Sequence, residues 1–263
     1  MDWTGELASD QAVLVVDDGP IRRIVLNRPK VSNAINQEVT DLLEAALADF
    51  ERRPDLRVGV VCGNGRNFCA GMDLREFLTA GIPSGATGGF AGVAERRSTK
   101  PLVAAVQGAA LAGGFEIALA CDLIVASRSA RFGLPEVTRG LVAAAGGLIR
   151  LPRAVPFNFA MRACLTGDPF DAETAQKLGL VSEIAADDAE LEHVVDSLAA
   201  RIAENAPLAV AASKRLVRDS YGVGIEQSFR DQREVVEPVF ASEDAREGAA
   251  SFAERRPPVW RGR

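Results

Sequence analysis

Two glutamates near a glycine turn are the residues of this sequence that could carry out chemistry together. Glu116 lies three residues after Gly113, about one helical turn further along and on the same face. Gly113 and Gly114 leave backbone amides bare, so the oxygen of a ligand could approach them closely. Glu136 follows in a Pro-Glu turn. Two carboxyl groups beside such amides suggest acid/base chemistry on a polarised carbonyl.

Each of these residues also has an ordinary structural explanation. Paired glycines before an apolar helix commonly let the helix pack closely on a strand. Glu116 could serve only as a first-turn cap or as a partner of the helix dipole. Glu136 could equally be a first-turn residue behind a proline that starts a helix. On local grounds both explanations stay open.

Composition and charge narrow the class of protein. The chain has 263 residues, 48% hydrophobic and 25% charged, which is typical of a soluble globular protein with a sizeable core. Its net charge of -6 disfavours nonspecific nucleic-acid binding but leaves room for a local basic patch that holds an anionic ligand. The sequence shows neither a signal peptide nor an apolar run that could span a bilayer. We therefore expect no nucleic-acid or membrane partner and a cytoplasmic location.

The cysteines and the single histidine argue against metal and triad chemistry. Cysteines stand at Cys62, Cys69, Cys121 and Cys164, far apart and without metal-like spacing, as expected of small buried residues in a reducing compartment. His193, the only histidine, lies in a polar helical run away from the two glutamates. The sequence therefore predicts no metal site and no Ser-His-Asp triad.

Alternating strands and helices must position the two glutamates. Apolar, β-branched runs predict strands at residues 12–16, 21–26, 58–62, 102–106 and 123–126. Helical spacing predicts an amphipathic helix over residues 39–50 that ends at Arg53-Pro54, and a further helix that starts near Gly113. This alternation predicts an α/β fold.

Beyond residue 187 the pattern becomes helical. Four helices are predicted, at residues 191–203, 208–220, 225–240 and 244–255, with Pro207 and Gly222 at breaks between them. We therefore divide the chain into a core, residues 1–186, and a C-terminal helical region, residues 187–263. Apolar faces that such a region cannot bury on its own body should be buried on a neighbouring subunit.

The whole chain resembles the enoyl-CoA hydratase/isomerase (crotonase) family. The matching segments, in the order and spacing of the family, are residues 24–30, 33–34, 63–74, 100–101, 108–147, 151–153, 165–167, 172–181 and 252–256. The resemblance implies a spiral of ββα units followed by a C-terminal helical oligomerisation region. It also implies a homotrimer or a hexamer made of two trimers.

The same resemblance implies a site. The amides of Met72 and Gly113 would form an oxyanion hole for a thioester carbonyl, and Glu116 and Glu136 would be the catalytic carboxyl groups. Substrate and coenzyme A would be bound by Lys30, Ala34, Ala70, Asp73, Leu74, Ala144 and Arg255. Among these, Arg255 would be lent by a neighbouring subunit. Coenzyme A is then part of the substrate, so no separate cofactor is expected.

The activity that the resemblance implies is an enoyl-CoA hydratase, which adds water to a trans-2-enoyl-CoA to give a 3-hydroxyacyl-CoA. One alternative is an isomerase, which needs only one carboxyl group, or other enolate chemistry on an acyl-CoA. The second alternative is an acyl-CoA binding protein without activity. Both glutamates are present, which favours the hydratase. Residues 242–248 and 256–260 resemble hydratases of bulky or unusual acyl groups, including carnitinyl groups and steroid-type side chains.

The sequence does not determine which acyl group the substrate carries, because of two departures from the family pattern and one loop. Ala143 and Ala144 replace the usual Pro-Gly, and Ala112 replaces the first of three helix-start glycines. The extra methyl of Ala144 lies near the place where the family holds its catalytic water. Residues 81–92 are rich in glycine and predict either a mobile flap over the acyl pocket or a plain solvent loop.

Overall fold

A computed structural model describes residues 10–263 as a mixed α/β fold. The strands of this part of the chain are β1 (Val13–Asp18), β2 (Ile21–Leu26), β3 (Val58–Gly63), β4 (Leu102–Val106), β5 (Ala109–Leu111), β6 (Leu123–Ser127), β7 (Arg131–Gly133), β8 (Phe170–Asp171) and β9 (Glu183–Ala185). The helices are α1 (Gln37–Arg52), α2 (Leu74–Ala80), α3 (Gly113–Ala120), α4 (Gly147–Ala154), α5 (Phe157–Thr166), α6 (Ala172–Lys177), α7 (Asp188–Ala203), α8 (Pro207–Asp219), α9 (Ile225–Ala241) and α10 (Glu243–Glu254). The predicted α/β class is confirmed.

Two sheets organise the core. The larger has the order β1-β2-β3-β4-β6-β9, in which β1 and β2 form an antiparallel hairpin and the other neighbours are parallel. The smaller has the order β5-β7-β8. The parallel neighbours are joined by helical crossovers, as a spiral of strand and helix units requires. The strands of the smaller sheet were missed, because two or three residues carry no readable alternation.

Both faces of the larger sheet are covered, which explains why its central strands β3, β4 and β6 are nearly continuous apolar runs. Helix α1 buries Leu43, Leu47 and Phe50 in the cluster that also holds residues of α3. Helix α7 covers the opposite face, where Leu191 and Val195 pack in the cluster of the sheet residues. The layers are thus helix, sheet and helix, and α3 with Glu116 lies on the α1 side.

Helix α7 packs with the core, although the sequence assigned it to a C-terminal appendage. Its buried residues Leu191, Val195 and Ala199 are 0% exposed against the strands of the same chain. Helix α7 thus shares the core of the sheet. A domain boundary between residues 186 and 187 remains a prediction. Within residues 10–263, no helix is long and apolar enough to cross a membrane.

Helices α8 and α9 have a different surface. Neither has a buried residue, and both expose large apolar side chains, namely Val217, Ile225, Phe229 and Phe240. A monomer seldom leaves so many apolar groups in water. This exposure supports the prediction that the last helices pack on a neighbouring subunit, which remains a prediction.

Candidate active site

The start of helix α3 carries Glu116 into the interior. Every residue of this helix is buried, and Glu116 is only 3% exposed. Its Oε1 accepts hydrogen bonds from the amides of Ala145 and Gly147, each at 2.8 Å. A Cβ on Gly147 would lie 3.0 Å from that same oxygen, so a glycine is needed for the approach. The turn into α4 therefore fixes the position of the carboxyl group.

Burial and hydrogen bonding act on Glu116 in opposite directions. Removal from water raises its pKa, while the amides of Gly147 and Ala145 and the charge of Arg150 lower it in part. The net shift is upward. Because both amides donate to one oxygen, they favour the ionised form and hold it in one orientation. Glu116 is thus a buried carboxyl group with a fixed direction.

Glu136 lies in a short 3-10 helix, Pro135–Arg139, and its environment is different. Its Oε2 is buried and has no hydrogen-bond partner in the part of the chain that the structure describes. Burial raises the pKa of Glu136 to about 7, and the charge of Glu116 acts in the same direction. A carboxyl group with this pKa is both proton donor and acceptor near neutrality. Gly147, whose amide holds Glu116, also lies against Leu134, and Leu134 lines one cavity with Glu136. The two glutamates therefore border one site.

The amide of Met72 points away from the segment that holds its neighbours. The amide of Ile35 donates to the carbonyl of Gly71 at 2.8 Å, and the amide of Asp73 donates to the carbonyl of Ile35 at 2.8 Å. In extended chain the amides of successive residues point to opposite sides, so the Met72 amide faces the other way. It donates no hydrogen bond to any described residue.

The turn at Gly71 brings Met72 beside Gly113. Leu111 donates to the carbonyl of Cys69 at 3.0 Å, which places the two segments side by side. A Cβ on Gly71, which has φ +96°, would lie 3.0 Å from the nitrogen of Gly113. The Gly113 amide is the first of α3 and has no acceptor in the preceding turn of a helix. Two free amides, those of Met72 and Gly113, therefore lie at one turn.

Ala112 sets the direction of the Gly113 amide at a cost in strain. Its backbone has φ +51° and ψ -130°, a combination that glycine adopts readily and alanine rarely. The ring of Phe90 packs on the other side, because a Cβ on Gly113 would lie 2.5 Å from its Cε1 and Cζ atoms. Sequence reasoning missed Phe90, whose only signal was one aromatic residue in a glycine-rich segment. Since Phe90, Ala91 and Gly92 are buried, residues 81–92 are not a plain solvent loop.

An apolar cavity of about 320 Å³ lies next to Glu136. Its lining includes Leu134, Val142, Ala143, Phe157 and Met161, with Glu136 as the ionisable group. No other ionisable carboxyl or basic group lines it among the described residues. The cavity can therefore take an uncharged group beside the Glu136 carboxyl.

Most residues expected to bind coenzyme A lie in two joined segments. Ala70 donates to the carbonyl of Ser32 at 2.9 Å, which ties the second segment to the turn that carries Lys30 and Ala34. Lys30 is exposed in the 3-10 helix Pro29–Val31, and Ala70 is exposed as well. The structure therefore brings Lys30, Ala34 and Ala70 together at one surface.

Asp73 and Leu74 lie at the start of α2. The Asp73 carboxylate accepts from the Arg75 amide as the helix cap and pairs with Arg28 at 3.2 Å. Its side chain is thus already engaged within the chain, whereas Leu74 is 42% exposed. The Asp73 amide donates to Ile35 and its carbonyl accepts from Phe77, so a ligand contact of Asp73 would have to share one of these groups or the ion pair.

Ala144 and Arg255 lie in different surroundings. Ala144 is exposed in the turn before α4, and its amide donates no hydrogen bond to any described residue. Arg255 follows α10 and is exposed. The chain beyond it is anchored near the start of β3, since Arg57 donates to the carbonyl of Trp260. The Met72 turn follows the opposite end of β3, so one chain does not bring Arg255 to the glutamates.

A ββα spiral with two buried carboxyl groups beside a turn of free amides defines a protein of the crotonase class. The family model of enoyl-CoA hydratase/isomerase matches residues 18–263 of the chain. The chain belongs to the enoyl-CoA hydratase/isomerase family, whose members include hydratases and dehydratases of acyl-CoA thioesters.

Solved structures and curated proteins agree with this membership. The structure of an enoyl-CoA hydratase from Mycobacterium marinum matches with a TM-score of 0.93 and 45% identity, and covers 97% of this chain and 100% of that one. A carnitinyl-CoA hydratase from Mycobacterium avium matches with a TM-score of 0.77 and 39% identity, with coverage of 97% and 100%. A carnitinyl-CoA dehydratase from Salmonella enteritidis PT4 is 39% identical over 254 residues, or 94% of this chain and 97% of the relative.

Proposed function

We propose that this protein is an enoyl-CoA hydratase that adds water to a trans-2-enoyl-CoA to form a 3-hydroxyacyl-CoA. The observation that carries the proposal is the pair of unlike carboxyl groups. Glu116 is buried and oriented by two amides, while Glu136 has a buried, unpartnered oxygen and a pKa of about 7. An isomerase needs only one such group, so the retention of both favours addition of water.

The amides of Met72 and Gly113 would bind the thioester oxygen. Their freedom from other hydrogen bonds supports this role, because an oxyanion hole needs donors that the fold has already aimed at the ligand. Negative charge that develops on the oxygen during addition would be stabilised there. Loss of one donor of this kind typically costs about 3 to 4 kcal/mol of transition-state stabilisation.

The glutamates would divide the proton transfers between them. Water held by both carboxyl groups would add its OH to the β carbon while Glu116, as the ionised partner, takes its proton. Glu136 would donate its own proton to the α carbon, which matches its raised pKa. Transfer of a proton from Glu116 to Glu136 would then restore the starting state. The free amide of Ala144 offers a third contact for the water.

The acyl group is proposed to be an uncharged chain that enters the apolar cavity beside Glu136. A quaternary ammonium group, such as that of a carnitinyl thioester, would lose its hydration in this cavity and find no aromatic cage. Carnitinyl-CoA dehydration is nevertheless the second candidate, since curated relatives carry out that reaction by name. The cavity lining favours the first candidate.

Coenzyme A would lie along the surface formed by Lys30, Ala34 and Ala70, with its phosphates near the exposed ammonium of Lys30. The position of Arg255 is consistent with its being lent by a neighbouring subunit of a trimer or a doubled trimer. Sedimentation of the purified protein at micromolar concentration tests the assembly, and a stable monomer would remove both Arg255 and the trimer from the proposal.

The deciding experiment is an assay with a panel of CoA thioesters. We expect purified protein to convert trans-2-enoyl-CoA substrates with alkyl chains to 3-hydroxyacyl-CoA products, and to dehydrate carnitinyl-CoA at least tenfold more slowly. Movement of the double bond of a 3-enoyl-CoA without hydration would identify the isomerase instead. Binding of 2-enoyl thioesters without any product would leave only the acyl-CoA binding protein.

A further inference from the structure

The carboxylate of Glu44 on helix α1 is saturated by one short loop. Its Oε1 accepts from the amide of Thr87 at 2.8 Å, from the Thr87 hydroxyl at 2.8 Å and from the amide of Gly88 at 2.8 Å. Its Oε2 accepts from the amide of Ala86 at 2.9 Å. Three successive backbone amides and one hydroxyl thus form a concave nest around the negative charge.

The contact is tight enough to exclude larger side chains. A Cβ on Gly85 would lie 2.9 Å from the carboxylate of Glu44, and a Cβ on Gly92 would lie 2.5 Å from its Cβ. The glycines of residues 81–92 therefore allow the loop to lie directly on α1. The hydrogen bonds of Thr87, first among the causes, lower the pKa of Glu44 to about 2, so the carboxylate is charged at neutral pH.

Backbone hydrogen bonds also join residues 85–95 to one another. The amide of Gly85 donates to the carbonyl of Gly89 at 2.8 Å, and the amide of Glu95 donates to the carbonyl of Gly88 at 2.9 Å. The segment that follows is buried, with Phe90 9% and Ala91 0% exposed. These bonds and this burial connect the residues that hold Glu44 to Phe90.

The far side of this loop contacts both halves of the site. The ring of Phe90 packs directly on Gly113, whose amide is one of the two free donors. Arg150 donates one guanidinium N–H to the carbonyl of Ala94 and another to the carbonyl of Ala145 at 3.3 Å. The amide of Ala145 in turn holds Glu116. Packing on one side and a shared guanidinium on the other thus join the loop to the amides and to the first glutamate.

We propose that Glu44 is a positioning residue for the reaction: by holding residues 86–88 it fixes Phe90 against Gly113 and keeps the oxyanion-hole amide aimed at the thioester carbonyl. This inference rests on the proposed role of Met72 and Gly113. Glu44 itself contacts no reacting atom in this scheme. Its effect is transmitted through the packing of the loop.

The first test measures the polarisation of a bound carbonyl and needs no turnover. Butyryl-CoA, a saturated thioester, is labelled with ¹³C at its carbonyl, and the infrared band of the bound form is compared in four proteins. These are the wild type, Glu44→Ala, Glu44→Gln and, as a matched control on the same helix, Glu38→Gln. We expect the wild type and the control to lower the carbonyl frequency equally, Glu44→Ala to lose at least half of that shift, and Glu44→Gln to retain an intermediate part.

The second test separates positioning from folding. Glu44→Ala should lower kcat for hydration about tenfold while KM changes less than threefold, and amide exchange should become faster in residues 85–94 but not in β3 or β4. Glu44→Gln, which keeps an acceptor oxygen for Thr87 and Gly88, should rescue part of the activity. A purely structural role would instead lower the melting temperature and leave kcat per folded molecule unchanged.

The outcomes also distinguish this inference from the proposed function. A wild type that lowers the carbonyl frequency yet forms no 3-hydroxyacyl product defeats the hydratase proposal and leaves the role of Glu44 standing if Glu44→Ala loses the shift. A Glu44→Ala protein with the full carbonyl shift and full kcat overturns the role of Glu44, whatever its exchange rates.

Discussion

The two sides of the candidate site place the same functional group in opposite environments. On the Glu116 side, a fully buried helix presents a carboxylate to two backbone amides, and a glycine leaves room for the contact. On the Glu136 side, a short 3-10 helix presents a carboxyl group to an apolar cavity, and one oxygen has no partner in the described chain. Hydrogen bonds favour a fixed anion, whereas an apolar wall favours a neutral acid.

This difference shows how one side-chain type can supply both roles that hydration requires. Neither environment alone would do so. Amide hydrogen bonds on both glutamates would favour the anion at both positions, and apolar surroundings without partners would favour the neutral acid at both. The difference between the two environments therefore assigns the proton to Glu136.

Replacement of either glutamate should cause the largest loss. Glu116→Gln and Glu136→Gln should each lower kcat by about 10² to 10⁴, as is typical for one acid/base group, with KM for the thioester nearly unchanged. The double variant should be little worse than the worse single variant, because the groups act as a unit. Steady-state hydration of crotonyl-CoA measures these effects, with Glu38→Gln as the control. If one variant kept most of the activity, the division of roles would be wrong.

A change confined to the Glu116 side is Gly147→Ala. The added Cβ would lie 3.0 Å from Oε1 of Glu116 and 3.0 Å from Leu134, so the carboxylate must shift by a few tenths of an ångström. We expect kcat to fall about tenfold, since small displacements of a catalytic group are costly. The pH dependence that Glu136 governs should keep its midpoint. Gly224→Ala, at a glycine with φ -62° where an added Cβ meets nothing closer than the Glu226 carboxylate at 4.0 Å, controls for the loss of a glycine.

The pH dependence tests the Glu136 side. Because catalysis needs Glu136 protonated, kcat/KM should fall as pH rises through about 7. The folded-state pKa is above the usual value of 4.5, so the folded protein binds this proton more tightly than the unfolded chain does. The wild type should therefore lose stability relative to Glu136→Gln as pH rises from about 4.5 to about 7, by on the order of 2 kcal/mol. Melting curves of both proteins from pH 5 to 8 measure it, and parallel curves would contradict the raised pKa.

The smallest effect is expected at the strained turn before Gly113. Ala112→Gly should raise the free energy of unfolding by about 1 kcal/mol, because glycine adopts φ +51° and ψ -130° without strain. The melting temperature should rise by roughly 2 to 4 °C, and kcat should stay within twofold. Ala45→Gly on the exposed face of α1 should instead lower the free energy of unfolding and the melting temperature. A loss of stability in Ala112→Gly would show that the alanine is not strained.

Much of the fold could be predicted from the sequence, since its signals are local. The strands β2 and β4 were predicted with the bounds that the structure gives, and α1 and α9 within three residues at either end. Apolar runs bounded by turn residues and helical periodicity are properties of neighbouring residues. The two glutamates and the glycine turn were found in the same way, from residue type and spacing.

Only the tertiary structure determines which groups contact the two glutamates and the apolar helix faces. The apolar face of α7 would look the same whether it covered its own sheet or a neighbour, and only packing shows that it covers its own. Glu116 is held by amides 29 and 31 residues away, and Glu44 holds a loop 42 to 44 residues away. The raised pKa of Glu136 depends on burial by α4 and α5. Contacts across such separations depend on how the elements pack, which no local pattern of residues records.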